Sequence, residues 1–210
     1  GDFQWSHSFD LREMDSSCTS LATDTMGNIH FLQNVRSKSP TSSRLIKLDS
    51  SGVLVWNKTV GSNYFARALA IDRDKIYITG LFMTHVELDT WRAKVFLANY
   101  DVYGTVISET LDSCESLTNF KSPRLSLEAI TFDSTGNILI SGKTKCRCDT
   151  QAPASEHLFV MNYSVSLKLQ STIEHHFPNH YYLIGNIKGM AVDPSSGIYL
   201  GKAGKLIKYK

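Results

Sequence analysis

Short runs of β-favouring residues, each ending in a turn, recur along the whole chain. One pattern occurs four times: small and apolar residues, an Asp, a turn, and then a run rich in Ile, Tyr, Leu or Phe. Its copies span residues 20–31, 68–80, 129–142 and 189–201. No window keeps the spacing of three and four residues that an amphipathic helix requires. The pattern therefore predicts an all-β chain built from an internal repeat.

A second half follows each of the first three copies. Two further β-rich runs, separated by a turn, lie in each of the segments 45–56, 96–107 and 159–169. Asp-x-x-Gly turns join the first two of these pairs as hairpins. Four strands in a unit of about 50 residues are typical of one β-propeller blade. We therefore predict four antiparallel four-stranded units, at about residues 20–62, 66–113, 126–174 and 187–210.

The two ends of the chain complement each other. The last unit stops after three strands, the third of which covers residues 205–209. The segment Gly1–Trp5 aligns with Gly52–Trp56, Gly on Gly and Trp on Trp. We expect the N-terminal strand, within residues 1–10, to complete the C-terminal blade and remove an open sheet edge. The prediction is a four-bladed β-propeller forming one domain over 1–210, and the alternative is a piece of a larger ring.

Three stretches of the second unit resemble a known repeat. These are Ala70-Ile71-Asp72, then Ile76-Tyr77-Ile78-Thr79-Gly80, and Tyr100-Asp101-Val102-Tyr103-Gly104, which are similar to the SBBP-type β-propeller repeat. The resemblance implies a propeller found within secreted or surface proteins and implies no single activity. The chain departs from the family where Val165-Ser166 lacks the turn glycine, and four units are fewer than such repeats usually supply.

Composition excludes several classes of protein. The net charge of +2 gives no global basic field of the kind that nucleic-acid binding requires. No stretch approaches the roughly 18 apolar residues of a membrane span. Hydrophobic residues make up 42% and charged residues 20%, a balance typical of a folded domain. The chain begins without Met, and we expect it to be a mature or excised piece of a longer protein.

Cysteines and glycosylation sequons favour an extracellular or cell-surface setting. The cysteine count is even, and two Asn-x-Ser/Thr sequons accompany it. The predicted glycosylation sites are Asn57 and Asn162, and the predicted disulfide cysteines are Cys18, Cys114, Cys146 and Cys148. A link from Cys114 to Cys146 or Cys148 is favoured, which leaves Cys18 to reach across or stay free. A Cys-x-Cys metal site is disfavoured because no second ligand pair is present.

Four polar residues fall at equivalent positions one step outside the predicted first strands. In a propeller these strands line the central channel, so the four residues would form a ring at one channel mouth. A ring of mixed charge could hold an ion or a small anion, and the alternative is that its members pair with one another in solvent. The set comprises Thr19, Arg67, Glu128 and Lys188.

The long predicted loops join second to third strands or link blades, and in a propeller such loops emerge on one face. Function on a rigid scaffold often resides in loops, and aromatic and Arg residues frequently anchor protein partners. The alternative is that the aromatic residues cover their own loops. The predicted binding residues are Tyr64, Phe65, Trp91, Arg92, Arg124, Lys145, Arg147, His176, Tyr181 and Tyr182.

No catalytic or cofactor motif is recognisable. The chain has no Gly-x-Ser-x-Gly, no His-Glu-x-x-His and no phosphate loop. The His175-His176 pair with His180 has no matching carboxylate or Cys to complete a ligand set, so no metal is predicted. We therefore expect a non-enzymatic extracellular module that binds a protein partner. Two alternatives stay open: a glycan-binding propeller, and a structural spacer or assembly domain of a larger surface protein.

Overall fold

The computed structural model describes most of the chain as β-strand. The described residues are 5–6, 16–35, 42–87, 90–112, 124–146, 155–176, 187–195, 197–202 and 205–209. They contain fifteen strands and no helix. The prediction of an all-β chain is therefore confirmed.

The first two sheets are four-stranded antiparallel meanders in which each strand pairs with the next. Sheet 1 consists of β1 (Ser16–Thr23), β2 (Ile29–Val35), β3 (Ser42–Leu48) and β4 (Leu54–Ser62). Sheet 2 consists of β5 (Tyr64–Asp72), β6 (Lys75–Glu87), β7 (Thr90–Tyr100) and β8 (Val106–Asp112).

The other two sheets follow the same meander. Sheet 3 consists of β9 (Arg124–Phe132), β10 (Ile138–Cys146), β11 (Ser155–Tyr163) and β12 (Leu169–His176). Sheet 4 has three described strands, which are β13 (Ile187–Val192), β14 (Ile198–Lys202) and β15 (Lys205–Tyr209). The prediction of four-stranded antiparallel units thus holds for sheets 1 to 3, and sheet 4 has the three strands expected from its own segment.

The chain divides into two compact units. The first comprises residues 1–92 and 96–109, and it contains sheet 1 and nearly all of sheet 2. The second comprises residues 93–95 and 110–210, and it contains sheets 3 and 4. The first unit buries Leu32, Leu45, Ile78 and Phe96 in one core cluster. The second buries a smaller cluster that includes Leu139, Leu158, Val160, Ile198 and Leu200.

Aspartate side chains build most of the tight turns. In the β1–β2 turn, Oδ1 of Asp24 accepts hydrogen bonds from the backbone N–H groups of Met26 (3.0 Å) and Asn28 (2.9 Å). Gly27 then takes a φ of +80°, which favours glycine because it has no Cβ. The turns that begin at Asp49, Asp101, Asp133 and Asp193 repeat the two Oδ1 bonds. The repeated Asp in the sequence therefore encodes a turn.

The β11–β12 turn makes the same shape without aspartate or glycine. The hydroxyl of Ser164 accepts a hydrogen bond from the backbone N–H of Lys168 at 3.2 Å, and Leu167 adopts a φ of +61°. The side chain of Leu167 is buried, and this burial opposes the cost of a left-handed backbone. The missing turn glycine noted in the sequence thus leaves the hairpin intact.

The two ends of each sheet differ in kind. One end, here called the turn end, carries the tight turns that join β1 to β2, β3 to β4, and their equivalents. The other end, here called the open end, is where β2, β6 and β10 end and where β3, β7 and β11 begin. This alternation follows from antiparallel order, because every second connection of a meander lies at the same end.

Candidate functional site

A β-bulge interrupts the first strand of every sheet. In each case one residue has no partner on the second strand, between two residues that are paired in register. A bulge bends its strand and re-aims the extra side chain, and bulges are common next to functional sites. The four bulged residues are Thr19, Arg67, Glu128 and Lys188, the same residues that the sequence aligned.

Glycine on the second strand makes room for two of these bulges. Gly80 pairs with Ala66, and a Cβ on Gly80 would collide with the carbonyl oxygen of Phe65. Gly142 pairs with Leu127, and its Cβ would lie 2.5 Å from the carbonyl oxygen of Ser126. The glycine that ends the second-strand motif is therefore required by a close backbone approach.

Side chains of sheet 1 hold the backbone of the β5 bulge. The amide of Asn34 donates to the carbonyl of Ala66 at 2.9 Å, and the hydroxyl of Thr19 donates to the same oxygen at 3.3 Å. The N–H of Ala66 donates to the hydroxyl of Ser43 at 2.8 Å. Asn34 and Ser43 are both buried, where such hydrogen bonds matter most because water cannot replace them. The residue before Arg67 is thus fixed at both of its backbone polar groups.

Phe65 and Arg67, predicted for two different sites, lie together. The guanidinium carbon Cζ of Arg67 is 4.3 Å from the ring centroid of Phe65. This distance is within the range of a cation–π interaction. Both residues are half-buried. Two sequence candidates therefore form one charged and aromatic feature beside the β5 bulge.

The ring of Tyr64 packs against aromatic neighbours within the protein. Its ring centroid is 4.9 Å from those of Phe82 and Phe96. A Cβ on Gly61 would lie 2.8 Å from the tyrosine ring. Burial raises the pKa of Tyr64, and the nearby Glu109 carboxylate adds to the rise. The prediction that Tyr64 contacts a partner stays a prediction, and the residue is half-buried beside these aromatic neighbours.

Three of the predicted binding residues meet at the open end of sheet 3. Arg124 on β9 pairs with Lys145 on β10, and Lys145 pairs in turn with Glu156 on β11. In the adjacent row, His157 pairs with His176 on β12. The backbone register therefore brings three predicted binding residues to one end of sheet 3.

For the remaining predicted residues, the structure gives either a strand position or no description. Trp91 and Arg92 lie at the start of β7, at the open end of sheet 2. Glu128 accepts a 2.7 Å hydrogen bond from the hydroxyl of Ser126, and Lys188 lies at the bulge of β13. Outside the described residues are Arg147, Tyr181, Tyr182, Cys114 and Cys148.

The two glycosylation sequons differ in accessibility. Asn57 is exposed on β4, the edge strand of sheet 1. Asn162 lies on β11, between β10 and β12, and its Oδ1 is buried without a hydrogen-bond partner among the described residues. The prediction of a glycan on Asn162 stays a prediction, and the residue is half-buried on a central strand.

The described cysteines support no metal site. Cys18 has an exposed, free thiol, and Cys146 is the last residue of β10. Within the described ranges, no group of three or more His, Cys, Asp or Glu side chains is placed to hold a metal ion. No helix in the described part of the chain is long and apolar enough to cross a membrane.

A buried charged cluster at the turn end of sheet 1 was not predicted. Oδ2 of Asp24 lies 3.1 Å from Nε2 of His30 and 3.2 Å from Nζ of Lys47. Burial alone would raise the pKa of Asp24, but hydrogen bonds from Asn28, His30 and Lys47 lower it well below its usual range. Burial lowers the pKa of His30, and the Asp24 carboxylate opposes that effect. His30 Nδ1 is buried with no hydrogen-bond partner among the described residues.

The same arrangement recurs in sheet 4, which indicates a structural role. Tyr199 stands at the position of His30, and its hydroxyl donates to Oδ2 of Asp193 at 3.0 Å. Lys208 stands at the position of Lys47, 3.6 Å from the same oxygen. Because the cluster occurs in two sheets, its role is better explained as stabilising a turn than as catalysis at a single site. In the sequence, this cluster corresponds to a His or Tyr as the second residue of the second strand, which pairs with a Lys on the third strand.

No known protein family and no curated protein matches the chain. Solved structures do match it. One is a mutant chimera of ACO and RPE65, which is 12% identical to this chain with a TM-score of 0.50, over 92% of this chain and 47% of the chimera. Another is a point mutant of the apocarotenoid oxygenase (ACO) of Synechocystis, 13% identical with a TM-score of 0.47, over 87% of this chain and 43% of the oxygenase. The chain therefore spans less than half the length of these structures.

The likeness to the chimera corrects one prediction. We expected no enzyme because the sequence carries no recognisable catalytic motif, yet the similar fold belongs to proteins derived from an oxygenase. The expectation that this chain is not an enzyme was therefore wrong as an inference from missing motifs. At 12% identity the likeness concerns the fold alone.

Proposed function

We propose that the chain binds a protein partner through the open ends of its sheets. The observation that carries the proposal is the contrast between the two ends. The turn ends carry tight turns, most of them built on the same Asp bonds, whereas the predicted binding residues that the structure describes lie at the open ends, at the starts of β5, β7 and β9 and near the ends of β10 and β12. Variable residues presented by a regular β scaffold are typical of a binding surface.

The charges at the open end of sheet 3 support this proposal. Arg124 and Lys145 pair directly across two strands, and a third predicted residue, His176, ends β12 at the same end of the sheet. Basic residues collected at one end of a sheet attract a partner of opposite charge, and complementary charge speeds association.

We also propose that the four sheets are the blades of one propeller closed by the N-terminal segment. Trp56 of β4 lies against Gly104, where a Cβ would be 3.2 Å from the indole, and its Nε1 donates to the carbonyl of Val102 at 3.3 Å. Trp5 has the same relation to the β3–β4 turn of sheet 1, since a Cβ on Gly52 would be 2.7 Å from its ring. Trp5 therefore occupies the place that a fourth-strand tryptophan of a preceding blade would take.

An extracellular location remains part of the proposal. The exposed Asn57 sequon on an edge strand supports it, because a glycan there would cover an edge that could otherwise pair with other chains. Asn162, which is half-buried on a central strand, is a weaker support.

The proposed function is tested by comparing the two ends of the sheets. An open-end variant combines Arg92→Ala, Arg124→Ala and Lys145→Ala. The matched turn-end variant combines Met26→Ala, Arg73→Ala and Tyr103→Ala, which are all exposed. Cell-surface proteins cross-linked to the wild type are identified by mass spectrometry, and binding of each purified candidate is then measured by interferometry.

We expect the open-end variant to lose binding of the purified partner and the turn-end variant to keep it. Equal binding by both variants, or equal loss, contradicts the assignment of the open end. A partner released by glycosidase treatment indicates recognition of a glycan, the alternative considered from the sequence. Thermal unfolding of both variants checks that each is folded.

A further inference from the structure

The indole of Trp56 links the last strand of sheet 1 to sheet 2 at their turn ends. Its Nε1 donates to the carbonyl of Val102 at 3.3 Å, and its ring lies over Gly104, where a Cβ would be 3.2 Å from the indole. Both of these partners belong to the β7–β8 turn. The indole also packs against the core cluster of the first unit. Movement of Trp56 would therefore separate sheet 1 from the β7–β8 turn.

The imidazole of His30 is buried beside this indole. The two ring centroids are 5.7 Å apart in an edge-on arrangement, and His30 is 1% exposed. Its Nε2 lies 3.1 Å from Oδ2 of Asp24, whereas its Nδ1 is buried without a hydrogen-bond partner among the described residues. A neutral imidazole can donate from Nε2 and carry no proton on Nδ1, but a protonated imidazole carries a proton on both nitrogens. Protonation in place would therefore bury an N–H group without an acceptor, which costs free energy.

The charges around His30 also oppose its protonation. The charged groups that face the imidazole are Asp24, from the β1–β2 turn, and Lys47, from β3, whereas Trp56 of β4 is uncharged. Oδ2 of Asp24 already lies 3.2 Å from Nζ of Lys47 and accepts from the amide of Asn28 at 2.8 Å. A protonated His30 would have to share this carboxylate with a second cation. Burial accordingly lowers the pKa of His30, and Lys47 adds to the effect while Asp24 opposes it.

Sheet 1 differs from the other sheets at this position. The residue of the second strand that pairs with the small residue of the first strand is His30 in sheet 1, and its equivalents in sheets 2, 3 and 4 are Tyr77, Leu139 and Tyr199. None of these three takes up a proton near neutral pH. In sheet 4 the tyrosine hydroxyl bonds the turn aspartate without titrating in this range. Sensitivity to mild acid at this position is therefore a property of sheet 1 alone.

We propose that His30 and Trp56 form a pH-sensitive switch, in which protonation of the imidazole displaces it and releases the indole from the β7–β8 turn. Asn34 and Ser43 bond the backbone of Ala66 at the open end, so sheets 1 and 2 stay joined there when the turn end opens. Because the pKa of His30 in the folded protein is below its ordinary value of 6.5, the switch is closed above about pH 6.5 and opens as the pH falls below it.

Hydrogen–deuterium exchange of the Trp56 indole N–H tests the switch, and it is followed by NMR of the nitrogen-15-labelled protein. Trp56→Phe assigns the signal among the three tryptophans of the chain. The reference variant is His30→Tyr, which keeps a donor and does not titrate in this range. At a given pH the intrinsic exchange chemistry is the same in both proteins. We expect the ratio of the wild-type rate to the variant rate to rise at least about fivefold between about pH 7.5 and about pH 5.

Two controls separate the switch from other effects of acid. His157→Gln removes another half-buried histidine, on β11 in the second unit, and should leave the response intact. Circular dichroism should give the same strand content for the wild type at both pH values, because the opening is confined to the turn end. If His30→Tyr does not fold, His30→Gln takes its place as the reference, since glutamine also offers a donor and does not titrate.

The outcomes are independent of the proposed partner surface at the open end. A constant rate ratio between the wild type and the His30 variant overturns the switch. Loss of the response in His157→Gln also overturns it, because another histidine would then be responsible. Loss of strand content together with faster exchange shows global unfolding and contradicts a local opening. Faster exchange confined to proteins that carry His30, with unchanged strand content, supports the switch.

Discussion

Asp24 and His30 are joined by a 3.1 Å contact between Oδ2 and Nε2 at the turn end of sheet 1. Because the carboxylate can only accept, a neutral His30 donates from Nε2, and its Nδ1 faces a buried site without a partner among the described residues. The other charged group facing the imidazole is Lys47, which is 3.2 Å from the same carboxylate oxygen. The edge of the imidazole also meets Trp56, with ring centroids 5.7 Å apart.

Acid is expected to destabilise the protein through His30. Its pKa is below the ordinary value of 6.5 in the folded protein, so the unfolded chain takes up this proton first. The stability that a neutral His30 contributes is complete above about pH 6.5 and is lost as the pH falls below that value, at up to about 1.4 kcal/mol per pH unit. The lowered pKa of Asp24 acts only at lower pH, as the pH falls below its ordinary value of 3.8.

His30→Tyr provides the measurement. Tyrosine fits the equivalent position in sheet 4 and donates to the turn aspartate there, so the variant keeps a donor but does not titrate in this range. Urea unfolding between about pH 7 and 5 should show a shallower loss of stability in His30→Tyr than in the wild type. Parallel curves for the two proteins contradict the role of His30. The remaining histidines contribute equally to both curves.

The bulges should depend on glycine at the second strand. Gly80→Ala and Gly142→Ala each force a Cβ against a backbone carbonyl, and we expect a loss of about 2–3 kcal/mol. The control is Gly189→Ala, since Gly189 has no atom within 4 Å of a Cβ and should change stability by less than about 1 kcal/mol. Chemical denaturation measures all three, and similar losses at Gly142 and Gly189 would argue against the steric cause.

The tryptophan contacts should contribute to stability in both places. Trp56 is half-buried and hydrogen-bonded, and we expect Trp56→Ala to cost about 3 kcal/mol. Trp5 is 38% exposed, and Trp5→Ala should cost about 1–2 kcal/mol. A cost near zero for Trp5→Ala would show that its contact with Gly52 does not hold the N-terminal segment, which removes the support for closure by that segment.

Two asparagines on central strands should respond in opposite directions to the same substitution. Asn34 donates to the bulge carbonyl, so Asn34→Leu is expected to cost about 2–3 kcal/mol. Asn162 has a buried Oδ1 without a partner among the described residues, opposite Leu139, and Asn162→Leu is expected to stabilise by up to about 1 kcal/mol. Destabilisation by Asn162→Leu comparable to that of Asn34→Leu would mean that the Asn162 amide is satisfied.

Glycosylation should distinguish the two sequons. When the protein is secreted from eukaryotic cells, we expect a glycan on Asn57 and none on Asn162, because only Asn57 is exposed on an edge strand. Intact mass before and after deglycosylation, with Asn57→Gln as the matched variant, measures this. A glycan that survives in Asn57→Gln contradicts the assignment. A protein with no glycan removes the sequon argument for an extracellular location.

The sequence determined the local structure because the relevant forces act between near neighbours. Short runs of β-favouring residues that end in turns predicted the strands. The aspartates at positions 24, 49, 101, 133 and 193 each bond the N–H groups two and four residues ahead. Alignment of the copies placed Arg67 and Glu128 at equivalent positions without showing that both are bulges. The missing motifs, in contrast, were no guide to catalysis, since chemistry depends on groups that converge from distant strands.

Only the tertiary structure decided which side chains meet. The bulge of β5 brings Arg67 over Phe65, and Asn34 and Ser43 come from another sheet to hold the adjacent backbone. Tyrosine is a residue type that often contacts partners, but the ring of Tyr64 packs against Phe82 and Phe96. These two residues lie on two other strands of the same sheet. Such contacts depend on strand register and sheet packing, which join residues far apart in the chain and leave no periodic signal in the sequence.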